Sequence, residues 1–548
     1  MQTRFNSDIK FILSIFYSIL ISYPSSILAF GGGDNSNVSE TQKQLNILHY
    51  NFKIQLLVDE KIIKCENEIT ALSTNPDLEQ IELNLYDNMD VTEVLLNGIK
   101  VNYSRNRDRI FIKSNNKTVD TVKILIKYNG KPKRAGFDGF VFGQVNGTDL
   151  IYNISEPTFA PTWFVCDDDP ADKALLDIEI TNDSEFVSVS NGILESVNIT
   201  NDKKTYHYKT VYPISTYLVA VYSAPYVSFG DVYKGLDGND SMKIEYYVLP
   251  EHLNNAKVDF AEHSDMIKVF SQLFGEYPFI KEKYGVAEFL WNFGAMENQT
   301  IIGIGYNFVS GNNFFEDTYA HELSHHWWGN SVSPKSWNDI WLNEGFATYC
   351  EALYAEAKHG KAALISKMLS KFSENFRGTL YAPKNLFGET VYDKGGWVLH
   401  MLRFEIGDSC FFKTMHNYYQ LYKYSNASVE DFKDVCEKTS GKNLDKFFDQ
   451  WIYTGDEIPK CDYSYEIEEK DGKTICDFTI VQKQERYPEF HFPLEIQIKY
   501  TDGKSDIKKL QIESVNESFQ LEIGKNISGV VIDPDSNLLA TFNRIDLN

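Results

Sequence analysis

The stretch His321-Glu322-Leu323-Ser324-His325 decides how this chain of 548 residues is interpreted. Residues four apart lie on one face of an α-helix, so His321 and His325 can bind the same metal ion. Glu322 lies about 100° further round the helix, where it can hold a water molecule beside the metal without ligating it. The pattern therefore predicts a metal-binding helix over residues 315–328, with a carboxylate base next to the metal.

A third ligand must come from another part of the chain. Glu344 is suitably placed at the start of the next predicted helix, 343–358. Two imidazoles and one carboxylate leave the fourth tetrahedral position of zinc open for water, which is typical of catalytic zinc sites. The alternative is an amphipathic surface helix whose two histidines bind nothing. We expect one catalytic Zn²⁺ per chain, held by His321, His325 and Glu344.

The composition is that of an acidic globular protein. Hydrophobic residues make up 43% of the chain and charged residues 24%, and the formal net charge is −24 at pH 7. The length is sufficient for three or four domains. So acidic a surface argues against nucleic acid, or an anionic membrane surface, as a partner.

Residues 1–29 have the pattern of a secretory signal peptide. Arg4 and Lys10 give a basic start, an apolar stretch covers 11–22, and most residues of 25–29 are small. We therefore expect export as a secreted, periplasmic or cell-surface protein, with an uncleaved N-terminal membrane anchor as the alternative. No other segment has 18 consecutive apolar residues, so no transmembrane segment is expected in the mature chain.

The remaining sequence divides into a spacer and three regions by its hydrophobic periodicity. A polar spacer over 30–44 precedes a strand-rich region over 45–226, in which Val122, Ile124 and Ile126 alternate with mostly polar neighbours. Helical patterns dominate 227–456, and strand patterns return over 457–548. Asn97-Gly98 and Asn129-Gly130 have the composition of hairpin turns, as do Asp471-Gly472 and Asp502-Gly503.

Seven cysteines leave at least one unpaired, and none form a Cys-x-x-Cys motif. Cys461 and Cys476 flank the predicted hairpin at Asp471-Gly472. A disulfide between them is one possibility in an oxidising compartment.

Several further motifs accompany the metal-binding pattern in a fixed order, and together they resemble the M1 family of zinc aminopeptidases, the gluzincins. The matching stretches are Thr162-Trp163-Phe164 through Asp169-Pro170, Gly294-Ala295-Met296-Glu297-Asn298, His321-Glu322-Leu323-Ser324-His325, Trp341-Leu342-Asn343-Glu344-Gly345-Phe346-Ala347, Val391-Tyr392-Asp393-Lys394-Gly395-Gly396 and Phe448-Asp449-Gln450-Trp451. The resemblance covers almost all of the chain after the predicted signal peptide.

The resemblance implies a catalytic role for two residues beside the ligands. Glu322 would act as the general base that takes a proton from the attacking water and passes it to the leaving amine. Tyr392 matches the tyrosine whose hydroxyl stabilises the tetrahedral oxyanion in this family. From the residues alone, Tyr392 is equally well a core tyrosine of a helix.

The resemblance also implies how an aminopeptidase recognises the end of its substrate. Glu297 matches the family's main anchor for the free α-ammonium group, and Glu156 aligns with a second acidic position from the N-terminal region. The backbone of Gly294, Ala295 and Met296 would lie along the substrate like a strand. The expected substrates are peptides with a free N-terminus, and Phe293 and Met296 are candidate walls of the pocket.

The expected fold is multidomain α+β: an N-terminal β saddle, a thermolysin-like α/β zinc-peptidase domain and a C-terminal β-sandwich. The chain stops at Asn548, so we expect the short three-domain form without the helical C-terminal domain of many relatives. His326, where many relatives have glutamine, is expected to pack rather than ligate. The alternative functions are a zinc endopeptidase, a lipid epoxide hydrolase and a non-catalytic binding protein on the same fold.

Overall fold

The computed structural model describes residues 38–114 and 121–545. The predicted signal peptide, 1–29, and residues 30–37 of the predicted spacer lie outside these ranges. The last part of that spacer packs against the strand-rich region, because the buried Gln42 amide donates to Asn84 Oδ1 at 2.6 Å and to Asp167 Oδ1 at 2.9 Å.

Strands account for most of the described residues between 45 and 224. They are β1 (Leu45–Leu57), β2 (Ile62–Ser73), β3 (Gln80–Asn84), β4 (Met89–Leu96), β5 (Ile99–Lys100), β6 (Tyr103–Asn106), β7 (Arg109–Lys113), β8 (Thr121–Gly130), β9 (Gly139–Val145), β10 (Thr148–Ile154), β11 (Leu175–Asp183), β12 (Val187–Val189), β13 (Ile193–Thr200), β14 (Lys203–Lys209) and β15 (Tyr222–Ala224). They form an eight-stranded sheet in the order β13-β14-β11-β1-β2-β8-β4-β5, a four-stranded sheet, β12-β15-β10-β9, and a three-stranded sheet, β3-β7-β6.

In this region the predicted alternation of buried residues in β8 is observed, but the hairpin turn predicted directly after it is not. The alternation in β8 is confirmed, since Val122, Ile124 and Ile126 are all fully buried. The hairpin turn at Asn129-Gly130 is wrong. Gly130 instead ends a strand that pairs on both sides, with Ile63 of β2 and Met89 of β4. Glycine suits this position because a Cβ would lie only 2.3 Å from the Asn88 carbonyl oxygen.

A five-stranded sheet and a group of helices form the central region. The sheet has the order β16-β17-β18-β20-β19, with β16 (Val227–Lys234), β17 (Ser241–Val248), β18 (Lys283–Phe289), β19 (Ala295–Met296) and β20 (Ile302–Gly305). The helices are α1 (Leu253–Asp259), α2 (His263–Phe274), α3 (Glu316–Ser324), α4 (Trp341–His359), α5 (Lys361–Ser370), α6 (Gly395–Ile406), α7 (Asp408–Tyr422), α8 (Val429–Ser440) and α9 (Asp445–Phe448). Short strands β21 (Val332–Pro334) and β22 (Ser425–Ala427) pair with each other, and π-helical turns cover Thr390–Lys394 and Asp449–Tyr453.

The predicted metal-binding helix is shorter than expected. Helix α3 ends at Ser324, and His325 is its C-cap residue, whose backbone N–H still donates to the His321 carbonyl oxygen at 3.3 Å. The chain then tightens into turns, because the N–H groups of His326 and Trp327 donate to the carbonyl oxygens three residues back, those of Leu323 and Ser324, at 3.1 and 3.0 Å. The two histidines therefore keep the helical spacing of one turn although the helix ends between them.

The final described residues form two more sheets. Strands β23 (Lys460–Lys470), β24 (Lys473–Gln482), β25 (Phe492–Tyr500), β26 (Ser505–Ile512), β27 (Asn516–Ile523), β28 (Ile527–Ile532) and β29 (Thr541–Arg544) make one sheet in the order β27-β24-β23-β29 and another in the order β26-β25-β28. The predicted hairpin at Asp471-Gly472 is confirmed, since it joins β23 to β24. The β-sandwich packing and the domain boundaries stay predictions.

The possible disulfide between Cys461 and Cys476 does not form. In the β23–β24 ladder Cys461 faces Gln482, whereas Cys476 faces Ile467, so the two thiols are separated along the hairpin. All seven cysteines are free, and each lies within the described residues.

Two glycines allow α4 to approach α6 closely. A Cβ added at Gly395 would lie 2.8 Å from the Gly345 Cα, and one added at Gly345 would lie 2.9 Å from the Gly395 Cα. Such distances require the backbones to move apart. Because α4 carries Glu344 and the turn before α6 carries Tyr392, this contact fixes the spacing of two predicted site residues.

The substitution Gly395→Ala should therefore destabilise the protein. Overpacking at a backbone contact costs about 1–3 kcal/mol, which should lower the midpoint of thermal unfolding. Gly529→Ala is the matched control, because a Cβ at Gly529 meets no atom within 4 Å. Equal midpoints for the two variants would contradict a tight α4–α6 contact.

Candidate active site

The structure brings the three predicted metal ligands together. Glu344 Oε2 lies 3.4 Å from His321 Nε2 and 3.5 Å from His325 Nε2, and the three ligand atoms all lie within 4.8 Å of one another. His321 comes from the last turn of α3, His325 from its C-cap, and Glu344 from the first turn of α4. The side chains of His325 and Glu344 are buried, and that of His321 is 12% exposed.

Hydrogen bonds to the far side of each imidazole set its orientation. The Nδ1–H of His321 donates to Glu351 Oε1 at 3.0 Å, and that of His325 donates to the Trp328 carbonyl oxygen at 3.0 Å. Each Nε2 is thereby left to face Glu344. Partners of this kind fix the tautomer and increase the basicity of metal-binding histidines.

These residues fit a zinc ion. Zinc binds imidazole nitrogen and carboxylate oxygen at about 2.0–2.1 Å, so tetrahedral ligand atoms are separated by about 3.3 Å. The separations of 3.4 and 3.5 Å at Glu344 are close to this value. Two other triplets of nearby groups have fewer imidazoles, which zinc favours: Glu297, Glu322 and His325 include one, and Glu156, Glu297 and Glu344 include none.

The electrostatics of the ligands reflect their mutual contacts. Burial raises the pKa of Glu344, but the adjacent His325 and His321 outweigh it and hold that pKa at about 2. Burial alone would lower the pKa of His321, and the hydrogen bonds to Glu344 and Glu351 instead raise it to about 10. The site is thus a set of anionic carboxylates arranged around cationic or metal-bound imidazoles.

Three further carboxylates point into the same space. Glu156, Glu297 and Glu322 are 5%, 4% and 7% exposed. Burial, followed by repulsion from neighbouring carboxylates, raises the pKa of Glu156, and burial raises that of Glu297. One oxygen of Glu156 and one of Glu297 are buried without a hydrogen-bond partner. Unpaired buried oxygens are costly, so these two carboxylates are poised for a cationic ligand.

Glu322 and Tyr392 lie at the same cavity as the ligands. Burial raises the pKa of Glu322 to about 8, against the opposing effect of His321 and His325. Tyr392 lies in the π-helical turn before α6, with its ring nearly parallel to the His321 imidazole at a centroid distance of 5.9 Å. Local π-helical geometry is frequent at functional sites.

The segment 294–296 lies at the edge of the central sheet. Strand β19 pairs with β20 through Ala295 and Met296, and within the described residues it has no strand on its other side. Gly294, Ala295 and Met296 all line the cavity. An edge strand beside a cavity can accept an extended peptide through main-chain hydrogen bonds.

A cavity of about 540 Å³ contains all ten predicted site residues. Five of its other lining residues are apolar, and the full set is Phe137, Ile154, Trp291, Phe293, Asn385, Phe387, Gly388, Glu389 and Asp393. Of these, Phe293 was predicted as a wall; the others were not, because most lie in connecting segments or at strand ends, which carry no regular sequence pattern.

The prediction for His326 is confirmed. It is fully buried, its Nε2 accepts from the Thr300 N–H at 3.0 Å, and its Nδ1–H donates to the Leu323 carbonyl oxygen at 3.2 Å. Both ring nitrogens are therefore occupied by the backbone. The orienting residue Glu351 was missed, although it lies seven residues after Glu344, on the same face of a helix.

The fold and this site define the class of zinc metallopeptidases: a catalytic ligand set, a neighbouring carboxylate and a cavity large enough for a peptide end. Models of two domains of one family match the chain, the peptidase family M1 domain over residues 259–451 and the peptidase M1 N-terminal domain over 46–218. Together they cover more than half of it. The chain belongs to peptidase family M1.

Relatives in this family are named aminopeptidases. Probable aminopeptidase 2 of Sulfurisphaera tokodaii is 28% identical over 389 residues, which is 66% of this chain and 48% of that protein. Endoplasmic reticulum aminopeptidase 1 of Homo sapiens is 27% identical over 321 residues, which is 53% of this chain and 34% of that protein. The chain thus spans about half the length, or less, of these curated relatives.

Solved structures share the fold at low sequence identity. Aminopeptidase A of Legionella pneumophila, in complex with aspartic acid, superposes with a TM-score of 0.81 at 18% identity, covering 94% of this chain and 61% of that one. An M1 zinc metallopeptidase from Deinococcus radiodurans superposes with a TM-score of 0.68 at 24% identity, covering 77% of this chain and 96% of that one.

The helices of the described residues are all too short or too polar to span a lipid bilayer.

Glu351→Gln should weaken zinc binding by about 10–100-fold, the usual effect of removing a partner that orients a ligand histidine. The amide retains a hydrogen-bond acceptor but loses the charge that supports the His321 imidazole. Competition with a chelator of known affinity measures the change. Glu405→Gln, whose carboxylate pairs instead with Lys442 at 2.7 Å, is the control. Equal affinities for the two variants would rule out an orienting role.

Proposed function

We propose that this chain is a zinc-dependent aminopeptidase, which hydrolyses the N-terminal peptide bond of peptides. The observation that carries the proposal is the pair Glu156 and Glu297. Both are buried in the cavity of the metal ligands, and each has a carboxylate oxygen without a partner. A free α-ammonium group would satisfy both oxygens.

The same pair argues against the endopeptidase alternative. An internal peptide bond brings no positive charge, so binding it would leave both carboxylates buried and unpaired. Such an arrangement selects against the wrong substrate as well as for the right one. The matching family and the names of the relatives support the same choice.

His321, His325 and Glu344 are the residues that would hold the zinc ion. When bound, zinc supplies Lewis acidity toward a water molecule and the scissile carbonyl oxygen. Glu322, next in sequence to the first ligand, would accept the proton of the attacking water and return it to the leaving amine. Tyr392 would donate its hydroxyl to the oxygen on which negative charge develops.

The backbone of Gly294, Ala295 and Met296 would hold the first residues of the substrate in an extended conformation. The position of β19 at the sheet edge supports this role. When Glu297 fixes the ammonium group of an extended substrate, only the first peptide bond can lie beside the metal ligands. Removal of single N-terminal residues follows from that constraint.

We further propose that the chain is exported, on the pattern of residues 1–29. The basic start and the short apolar stretch support a signal peptide. Sequencing the N-terminus of the protein recovered from its source would test cleavage of this segment. An intact Met1 on an intracellular protein would count against export.

The activity is tested with matched aminoacyl-anilides, free or N-acetylated, with and without a zinc chelator. We expect chelator-sensitive cleavage of the free amines alone. Glu322→Gln should keep zinc and lose nearly all turnover. Cleavage of the blocked substrates would favour an endopeptidase, and no cleavage by zinc-loaded protein would favour a binding protein.

Glu297→Gln should reduce the preference for free over N-acetylated substrates. The amide has the shape of the carboxylate but no charge to pair with ammonium, and removing one partner of a buried charged pair costs about 3–5 kcal/mol. The ratio of kcat/KM for the two substrate sets measures the effect. Glu405→Gln is again the control, and an unchanged ratio in Glu297→Gln would contradict the anchor role.

A further inference from the structure

Six apolar side chains line the active-site cavity, and the proposed reaction leaves them without a role; together they are called the apolar wall. They are Phe137, Ile154, Trp291, Phe293, Met296 and Phe387. We propose that this wall binds the first side chain of the substrate and that the enzyme prefers peptides beginning with a large apolar residue, above all an aromatic one. The inference rests on the proposed aminopeptidase function and names its substrate class.

The position of the wall follows from the geometry of an amino acid. The α-ammonium nitrogen and the first side-chain carbon are bonded to the same Cα, so they lie only about 2.5 Å apart. The subsite for the first side chain must therefore adjoin the ammonium anchors. Ile154 lies two residues before Glu156, Met296 directly precedes Glu297, and both side chains belong to residues that line the cavity. Each anchor thus has an apolar residue close to it in the sequence that lines the same cavity.

Three aromatic rings line the same cavity and contact one another. Phe137 packs edge-to-face against Phe387 at a centroid distance of 4.9 Å and against Trp291 at 5.6 Å. All three are half-buried, so part of each ring remains available to a ligand. An additional aromatic side chain could join this cluster in the same edge-to-face geometry, which adds to the gain from burying its area.

An acidic first side chain is unsuited to the cavity. Among the described residues that line it there is no Lys or Arg. Four buried carboxylates, those of Glu156, Glu297, Glu322 and Glu344, lie there instead. A further carboxylate would add to the negative charge of this group and would find no cation other than the proposed metal ion.

A basic first side chain is also less favoured than an aromatic one. Of the two remaining acidic residues of the lining, Asp393 shares the Lys371 ammonium group, 3.6 Å away, with Glu351 at 2.9 Å, so its charge is balanced in part. Glu389 is exposed, so its attraction for a cation is screened by water. Glu156 and Glu297 are occupied by the α-ammonium group.

The proposal is tested by kcat/KM of the zinc-loaded protein on anilides of Phe, Tyr, Leu, Ala, Arg and Glu. Burial of a large apolar side chain should favour Phe over Ala by about 10–100-fold. Phe should also exceed Arg and Glu. A ranking led by Arg, Glu or Ala would overturn the proposal and leave the aminopeptidase function intact.

Substitution of the wall locates the effect. Phe387→Ala should lower the ratio of kcat/KM for Phe to that for Ala by about tenfold, because the substrate ring loses its neighbour. Phe387→Leu, which keeps apolar volume without a ring, should give an intermediate ratio and serves if the alanine variant does not fold. Phe314→Ala is the control, since Phe314 is 72% exposed and outside the cavity lining. Equal ratios in all of these proteins would overturn the assignment.

Binding provides a readout independent of turnover. Calorimetric titration of zinc-loaded Glu322→Gln with L-phenylalanine, L-arginine and L-glutamate should give the tightest binding for L-phenylalanine. If no anilide is cleaved but this order holds, the proposed function fails and the apolar subsite stands. If L-arginine or L-glutamate binds more tightly, the subsite proposal fails whatever the activity.

Discussion

The concentration of buried negative charge around two imidazoles is the constraint on which the rest of the structure depends. Glu344 and Glu351 contact the same histidine, and Glu156, Glu297 and Glu322 lie in the same cavity. Burying so many carboxylates is unfavourable unless cations balance them. The imidazoles and a metal ion would balance the first group, and a substrate ammonium the second. Without these cations, protonation relieves part of the excess charge, and burial accordingly raises the pKa of Glu156, Glu297 and Glu322.

Holding these groups requires elements that cannot shift. Helix α3 ends immediately before His325, so the second histidine is fixed by backbone hydrogen bonds of the following turn rather than by further helix. Helix α4 supplies both Glu344 and Glu351 from one face. Its glycine contact with α6 sets the distance to the turn of Tyr392. The metal ligands and the carboxylate that orients His321 are therefore held by two neighbouring helices.

The structural features that depend on local periodicity could be predicted from the sequence. Spacing by four residues indicated the histidine pair, and alternation indicated β8. Prediction from the sequence was wrong where tertiary contacts outweighed a local signal, and impossible where no local signal existed. Asn129-Gly130 has the composition of a turn, but it pairs with two neighbouring strands and so continues β8. Phe137 and Phe387 meet only in the folded chain, so no pattern in the sequence could have joined them.

The charged and the apolar parts of the cavity make complementary demands on a ligand. Glu156 and Glu297 recognise a group that every peptide N-terminus carries, so they cannot distinguish one first residue from another. Discrimination must come from the surface next to them, and Ile154 and Met296 make that surface apolar. The metal ligands and the anchors hold the substrate backbone in one position. Substrates should therefore differ in binding mainly by how much of the apolar wall their first side chain covers. Specificity and catalysis can therefore vary independently on one scaffold.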